Sequence, residues 1–141
     1  MKLASFIRKL YWEITPLIRL DNGKSDFEYE ELPYLHRFML DHINYYVANM
    51  EQAYSSLNLS KAIALTEDFF KSYAYEIFVK NVRKRMIAYP KDTRNQHHIL
   101  VLKRLIEILG VVAPIMPFSA YHISKAQLMP WPSLSSNGLR V

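Results

Sequence analysis

The sequence contains no cysteine and has only three glycines and seven prolines among its 141 residues. The lack of cysteine excludes disulfides, thiolate metal sites and a cysteine nucleophile. The small numbers of glycine and proline favour long helices over many short strands joined by turns. No uncharged stretch approaches the roughly 18 apolar residues that a membrane-spanning helix needs. We therefore expect a helical protein without a membrane partner.

The composition is that of a single folded domain with a basic surface. Half of the residues are hydrophobic and 22% are charged, so the chain can bury a core and is not expected to be disordered. The formal net charge is +5. A basic protein is expected to have an anionic partner, which can be nucleic acid, anionic lipid or an acidic protein.

Residues 1–20 are basic and apolar, but they do not match a secretory signal peptide. They include Glu13 and lack a small-residue cleavage site. Glu13 and the scarcity of serine also argue against an organellar transit peptide. We expect the protein in the cytoplasm, with a mitochondrial or other organellar location as the alternative.

Hydrophobic residues recur at helical spacing along the first part of the chain. A first helix is predicted from Lys2 to Ile14, and Pro16 is expected to stop it. An acidic turn and loop, Asp21–Pro33, follows. The second helix begins after Pro33. Its predicted core stripe consists of Leu35, Met39, Ile43, Tyr46, Met50, Ala53 and Leu57.

The longest periodic segment runs from Leu59 to Tyr89 and ends at Pro90. Asn58 or Ser60 is the predicted N-cap, since both side chains can accept a hydrogen bond from the first helical turn. The predicted core stripe of this helix consists of Ala62, Ile63, Thr66, Phe69, Phe70, Tyr73, Ile77 and Val82.

A further helix is predicted after Asp92 or Thr93, either of which can cap it. Its stripe consists of Ile99, Leu102, Leu105, Ile106 and Leu109. Pro117 suits the first turn of a short sixth helix, 118–128, before a frayed tail. The sequence thus predicts an all-α fold, an antiparallel bundle of four to five helices joined by short loops.

The positive charge is concentrated in fifteen residues, 80–94. This segment has six basic residues and one acid, a difference of five that equals the net charge of the whole chain, +5. Cations near a helix C-terminus are favoured by the helix dipole, which is one explanation. Like charges on one helical face repel, however, which favours a phosphate-binding patch. We call the six residues the basic cluster: Lys80, Arg83, Lys84, Arg85, Lys91 and Arg94.

His97 lies just beyond the basic cluster, and Tyr89 lies within it. Unpaired RNA bases are commonly read by stacking on aromatic and arginine side chains. We therefore predict that the basic cluster and His97 bind RNA.

Other polar and aromatic residues are given structural interpretations. A metal site at His97 and His98 is not expected, because adjacent histidines lie on different helix faces and no third ligand is evident. Asn58-Leu59-Ser60 matches a glycosylation acceptor but is better explained as a helix cap. His36, Asp41 and His42 are interpreted as satisfied surface or helix-end groups. Tyr45, Tyr46, Tyr73 and Tyr75 are interpreted as core rather than as a stacking platform.

Several motifs, in a fixed order, resemble a known family. The chain contains Leu35-His36-Arg37-Phe38-Met39-Leu40, then the basic helix end Arg83-Lys84-Arg85-Met86, then Ala113-Pro114-x-x-Pro117-Phe118, and finally Leu128-x-x-Trp131-Pro132. This order resembles the anticodon-binding helical domain shared by the isoleucyl-, valyl- and leucyl-tRNA synthetases of class I. The resemblance covers roughly Lys2 to Pro132.

The resemblance is closest to the isoleucyl type, because of Arg37-Phe38-x-Leu40 and the Arg/Lys-rich helix end. The match is divergent: Tyr121 and His122 stand where the family usually has an acidic residue. The family's Asp-Leu-Ser block falls on Tyr73-Ala74-Tyr75. Valyl and leucyl types therefore stay open. The residues that the resemblance assigns to a structural motif are Ala113, Pro114, Pro117, Phe118, Trp131 and Pro132.

The resemblance implies four regions. Residues 1–20 form a leading helix that joins the bundle, and residues 21–33 form the acidic loop. Residues 34–128 form the anticodon-binding bundle, and residues 129–141 form a Trp-Pro segment and tail.

The chain lacks the two catalytic signatures of class I synthetases and a Gly-rich phosphate loop. No catalytic residue, metal or cofactor is therefore expected here, and ATP would be used by a parent enzyme. The chain is expected to be a fragment, an excised domain or a stand-alone relative. Its expected partners are tRNA and the catalytic domain of the parent synthetase.

Two other functions stay open at this stage. One is a non-catalytic protein-interaction module derived from a synthetase domain, in which the basic cluster meets an acidic protein. The other is membrane-surface binding by the N-terminal helix, whose apolar stripe is narrow.

Overall fold

The computed structural model describes residues 2–112 and residue 115, and this part of the chain contains helices and no strands. The helices are α1 (Lys2–Ile18), α2 (Tyr34–Ser55), α3 (Leu59–Asp68), α4 (Lys80–Ala88) and α5 (Asn95–Glu107). A π-helical segment, Phe69–Val79, joins α3 to α4, and short 3₁₀ turns occupy Tyr29–Glu31 and Ile108–Val112. The predicted all-α fold is confirmed.

Helix α1 continues through Pro16, so the predicted stop before this residue is wrong. Proline removes only one backbone donor, and near the last turn of a helix few hydrogen bonds remain to be broken. Leu17, one residue later, is buried, and its burial favours the additional turn. Thr15 also donates its hydroxyl to the Tyr11 carbonyl oxygen over 2.8 Å. The helix ends at Ile18.

The end of α2 and the start of α3 are defined by the short turn 56–58. The Asn58 N–H donates to the Ala53 carbonyl over 2.8 Å, which closes the last turn of α2. The Asn58 side chain accepts from the Lys61 N–H over 3.1 Å, so Asn58 is the N-cap that the sequence predicted. Leu57 is 85% exposed and was wrongly predicted to lie in the core. It follows the end of α2, so it no longer shares the buried face of that helix.

Segments α3, π and α4 form one continuous helix over residues 59–88, because their junctions keep right-handed helical dihedral angles. The Lys80 N–H donates to the Tyr75 carbonyl, five residues back, which is the π-helical pattern. Each wider turn shifts which side chains face inward. Ala74, Phe78 and Val79 are buried, whereas the predicted core residues Tyr73 and Ile77 are only half-buried.

Contacts between helices establish the bundle topology. Later residues of α2 contact earlier residues of the 59–88 helix, so these two helices are antiparallel. Tyr54 donates to the Val111 carbonyl while His36 contacts His98, so α2 and α5 are parallel. Phe6 meets Tyr75 and Glu13 meets Arg83, so α1 is parallel to the 59–88 helix. The α2 pairs are His36–Phe78, His42–Tyr73, Tyr46–Phe69 and Met50–Thr66. The chain therefore runs up, down, up and down.

The core fills the space between these four helical rods. All five predicted stripe residues of α5 and the 3₁₀ turn after it are buried. On α2, five of the seven predicted residues are buried, Leu35 is half-buried and Leu57 is exposed. The largest fully buried side chains include Phe70, Phe78, Met39, Met50 and Leu102.

Two predictions fall outside the described residues: the sixth helix, 118–128, and the frayed tail from Met129. Among the helices described, none is both long and apolar enough to cross a bilayer.

Candidate nucleic-acid interface

Loops join the helices at the two ends of the bundle, and the basic cluster belongs to one of these ends. Here the C-termini of α1 and α4 meet the N-termini of α2 and α5. Gln96, in the first turn of α5, accepts from the Asn22 N–H over 3.3 Å and donates to the Leu20 carbonyl over 3.4 Å. Asn95 donates its side-chain amide to the Tyr89 carbonyl over 2.8 Å. These bonds fix the 89–94 turn against the other loops. We call this part of the bundle the basic end.

The structure places Arg85, Arg94 and His97 around one cavity at the basic end, whereas Arg83 faces α1, where it meets Glu13. Lys80, Arg83, Lys84 and Arg85 are all exposed on α4. Lys91 and Arg94 are exposed on the turn after it, and His97 is half-buried on the first turns of α5. Their arrangement is that of a solvent-accessible cationic surface. The assignment of these seven residues to RNA binding stays a prediction.

Three acidic side chains partly neutralise the basic cluster. Glu76 pairs with Lys80 at 3.4 Å, and Glu13 of α1 lies 3.9 Å from Arg83. The sequence carried a signal for Glu76, which is four residues before Lys80. The sequence did not predict the contact of Glu13 with Arg83, because it depends on the packing of α1 against the 59–88 helix. Exposed pairs of this kind stabilise a fold by about 0–1 kcal/mol each.

Asp92, the third acid, is held by Arg94, whose guanidinium donates to the carboxylate over 2.8 Å. The backbone N–H of Arg94 donates to the same carboxylate over 2.9 Å. The side-chain and backbone hydrogen bonds from Arg94 lower the pKa of Asp92 to about 2. Arg94 precedes α5 and its side chain makes no capping hydrogen bond. The Asp92 carboxylate accepts the Arg94 backbone N–H just before the helix, a contact of the capping kind that the sequence predicted for Asp92.

Lys84, Arg85 and Lys91 form no ion pair with any of the described residues. No described carboxylate neutralises them, although the exposed acids of the loop between α1 and α2 lie at the same end: Asp26, Glu28, Glu30 and Glu31. The N-termini of α2 and α5, which carry partial positive charge, lie at the same end. An anion approaching this end meets three cations that are not engaged with a carboxylate.

Two buried histidines lie beneath this surface. The Nε2 atom of His36 is hydrogen-bonded to the Nδ1 atom of His98 over 2.7 Å, and the two rings stack with centroids 4.9 Å apart. Burial is the main cause that lowers the pKa of each imidazole to about 4. Neighbouring basic groups lower both further, chiefly His98 for His36 and Arg85 for His98. Both imidazoles are therefore neutral near pH 7.

His36 lies in the first turn of α2, which agrees with a helix-end group, but it is buried and is not a surface group. The Nδ1 atom of His36 is buried and has no hydrogen-bond partner among the described residues. Leaving a buried polar atom unpaired costs about 1–3 kcal/mol. Asp41 accepts from the Tyr29 hydroxyl over 2.9 Å, and the His42 ring stacks on Tyr73 with centroids 4.2 Å apart. His36, Asp41 and His42 do not form an acid–base set.

A cavity of about 360 Å³ opens at the basic end, between the N-termini of α2 and α5, residues 81–85 of α4 and the turn before α5. Leu35 and Val82 form apolar parts of its wall, and the His36–His98 pair forms another part. Arg85 and Arg94 also line it. Sequence periodicity could not reveal this cavity, because it lies between residues far apart in the chain.

The tyrosine interpretation is confirmed in part. Tyr46 is buried, and its hydroxyl is hydrogen-bonded to Thr66 over 2.8 Å. Tyr73 and Tyr75 are half-buried. Tyr45 is 67% exposed, so its assignment to the core is wrong. It lies on the face of α2 opposite the core residues.

The remaining predicted site residues lie outside the described part of the chain: Ala113, Pro114, Pro117, Phe118, Trp131 and Pro132. Among the residues that the structure describes, no group of three or more histidine and acidic side chains could hold a metal ion.

Comparison with known proteins identifies one family. Residues 36–140 match the model of the anticodon-binding domain of tRNA ligases. This match includes α2, the 59–88 helix, the basic cluster and α5. No curated protein and no solved structure matches the chain significantly.

Proposed function

Because the chain belongs to the family of anticodon-binding domains of tRNA ligases, we propose that its basic end binds the anticodon arm of a tRNA. The observation that carries the proposal is the position of Lys84, Arg85 and Lys91. These exposed cations have no ion-pair partner among the described residues, and they lie within the matched segment 36–140. Cations of this kind bind phosphates independently of sequence and position the protein on RNA.

The ion pairs of each basic residue determine how readily it can contact RNA. Lys84, Arg85 and Lys91 contact RNA phosphates without first breaking an ion pair. Lys80 and Arg83 must give up, or share, weak pairs with Glu76 and Glu13. Arg94 is held most tightly, by Asp92, and so contributes least. The half-buried His97 and the exposed Tyr89 are proposed to stack on bases of the loop, since both lie within or beside the basic cluster.

The parent enzyme is proposed to be an ATP-dependent ligase of the isoleucyl type, with its catalytic domain outside this chain. The Arg37-Phe38-x-Leu40 start of α2 and the Arg/Lys-rich end of α4 support the isoleucyl assignment. We propose the cytoplasm as its location, with a mitochondrial or other organellar location as the alternative.

The proposed function is tested by measuring binding of tRNA fragments to the purified chain. An anticodon stem-loop should bind more tightly than an acceptor-stem minihelix of the same tRNA with equal charge. Equal affinity for the two fragments would mean that the basic end holds RNA non-specifically, and no binding of either would refute the proposal.

The isoleucyl assignment is tested separately with stem-loops of isoleucine, valine and leucine tRNAs at matched ionic strength. The isoleucine stem-loop should bind most tightly, because its loop bases would be those that the bundle reads. A preference for the valine or leucine stem-loop would overturn the isoleucyl assignment and leave the anticodon-binding proposal intact.

A further inference from the structure

A groove of about 520 Å³ lies between α1 and the 59–88 helix. Trp12 and Pro16 form the apolar part of its wall on α1, and Tyr75 and Ile87 form the apolar part of the opposite wall. It is separate from the cavity at the basic end, which lies between α2, α4 and α5. The anticodon-binding proposal does not use this groove.

The groove is long enough for about three turns of a helix. A second cavity of about 70 Å³, beside Phe6, shares Lys9 and Tyr75 with the larger one and extends it along α1. From Phe6 to Pro16 the α1 wall is roughly 15 Å long, at about 1.5 Å per residue. A groove of this shape between two parallel helices fits one amphipathic helix, whose apolar residues recur at helical spacing on one face.

Two apolar side chains of the groove are largely exposed to solvent. Trp12 is 60% exposed and Ile87 is 58% exposed. The Trp12 ring packs edge-on against the buried Tyr11 ring, with centroids 5.5 Å apart. The indole is therefore already positioned, so little side-chain freedom is lost when a partner covers it. Tryptophan is among the residues that contribute most to binding when a partner buries them.

The charge of the two wall helices indicates the chemistry of the partner. Helices α1 and α4 together have seven basic residues and one acid, a difference of six. Lys9 lines the groove, is exposed and forms no ion pair with any of the described residues. The single acid, Glu13, lies 3.9 Å from Arg83. Such walls attract an acidic segment and repel a second copy of this basic chain.

We propose that this groove binds an acidic amphipathic helix of a partner protein. The apolar face of that helix packs on Trp12 and Ile87, and one of its carboxylates pairs with Lys9. The apolar wall favours a protein helix over RNA, because a nucleic-acid backbone gains its affinity from cations along its path. The proposal adds a protein-docking site to the anticodon-binding family and does not rest on the proposed function.

The fluorescence of Trp12 reports binding directly. In the Trp131→Phe chain Trp12 is the only tryptophan. The probes are synthetic tryptophan-free peptides of about three turns, roughly eleven residues, held helical by a side-chain link. The first has a leucine face flanked by glutamates, the second has lysines in place of the glutamates, and the third has the first peptide's residues rearranged so that no apolar face remains. Only the first should shift the emission saturably to shorter wavelength, because it removes Trp12 from water.

Exchanging charges between protein and peptide tests the contact with Lys9. In the Trp131→Phe chain, Lys9→Glu should weaken binding of the glutamate peptide about tenfold and allow the lysine peptide to bind. The matched control is Arg8→Glu, which changes the net charge equally at an exposed residue that does not line the groove. It should change binding of either peptide by less than about threefold. Circular dichroism checks that both variants keep their helical content.

Four results would overturn the proposal. The glutamate peptide produces no shift at millimolar concentration, or both charged peptides bind the original groove equally well. Trp12 emission shifts with protein concentration alone, which would assign the groove to a second copy. The anticodon stem-loop shifts Trp12 emission and Lys9→Glu abolishes that shift, which would assign the groove to RNA.

Discussion

Leu57, just after the end of α2, shows why hydrophobic periodicity can mispredict the burial of a residue at a helix end. Its φ of 56° lies in the left-handed region, where a side chain with a β-carbon is disfavoured by roughly 1–2 kcal/mol. The Leu57 and Asn58 N–H groups donate back to the Tyr54 and Ala53 carbonyls, the pattern that usually ends in glycine. A helical repeat of hydrophobic residues gives no indication of this change in dihedral angle, so Leu57 was predicted in the core.

We predict that Leu57→Gly raises the free energy of unfolding by up to about 1 kcal/mol. The side chain is 85% exposed, so little buried surface is removed. The matched control is Leu59→Gly, in the first turn of α3, which should lower the free energy of unfolding by about 0.5–1 kcal/mol. Urea denaturation of the three proteins measures both changes. A loss of stability in Leu57→Gly would show that the left-handed conformation is not a source of strain.

At the scale of helices, the π segment determines which side chains enter the core. The sequence predicted the extent of the 59–88 helix well, because Asn58 and Pro90 mark its boundaries. It could not predict the wider turns of Phe69–Val79, since the stripe was assigned at 3.6 residues per turn. As a result, Ile77 was predicted in the core, whereas its neighbour Phe78 is fully buried.

We predict that Phe78→Ala lowers the free energy of unfolding by about 3–5 kcal/mol, the usual cost of removing a buried phenyl ring. Ile77→Ala should cost less than about 2 kcal/mol, because that side chain is only half-buried. Chemical denaturation of the two variants gives the comparison. If Ile77→Ala were as costly as Phe78→Ala, the register of the π segment would be wrong.

The His36–His98 pair joins α2 to α5 and makes this junction sensitive to pH. The pKa of each imidazole is lowered to about 4 in the folded chain, from an ordinary value of 6.5. Between these values the unfolded chain binds protons that the folded chain does not. The contribution to stability is therefore complete above pH 6.5 and is lost as the pH falls towards 4.

We predict that the free energy of unfolding falls by roughly 2–3 kcal/mol per imidazole over this pH range. The double variant His36→Gln/His98→Gln should show a shallower dependence between pH 6.5 and 4, since these two groups no longer titrate. Urea midpoints measured at several pH values test this. The same slope in both proteins would mean that the two imidazoles are accessible to protons in the folded state.

At the scale of the whole molecule, helix topology turns a linear cluster of basic residues into a surface. The sequence predicted the all-α bundle and the position of the charge, because both follow from periodicity and composition. It did not predict the neutralisation of Arg83 by Glu13 or the cavity beside Arg85, which depend on contacts between distant helices. The basic cluster is consequently smaller in effective charge than its six cations suggest.

The most direct test of the central claim is the salt dependence of anticodon stem-loop binding. Removing one cation that binds a phosphate should reduce the slope of log affinity against log salt by about 0.7 to 0.9. We predict that the triple variant Arg83→Gln/Lys84→Gln/Arg85→Gln flattens the slope by up to about two to three units. Its fold should be retained, because these side chains are exposed on α4.

The control is a second triple variant, Arg8→Gln/Lys61→Gln/Lys71→Gln, which removes the same charge away from the basic end. It should leave the slope nearly unchanged. The slope reports the counterions that RNA releases where a cation contacts a phosphate, and it does not follow the net charge of the chain. An unchanged slope and affinity in the Arg83, Lys84 and Arg85 variant would contradict the account. The basic cluster would then be a solvated helix end, and an acidic protein partner would replace tRNA as the explanation.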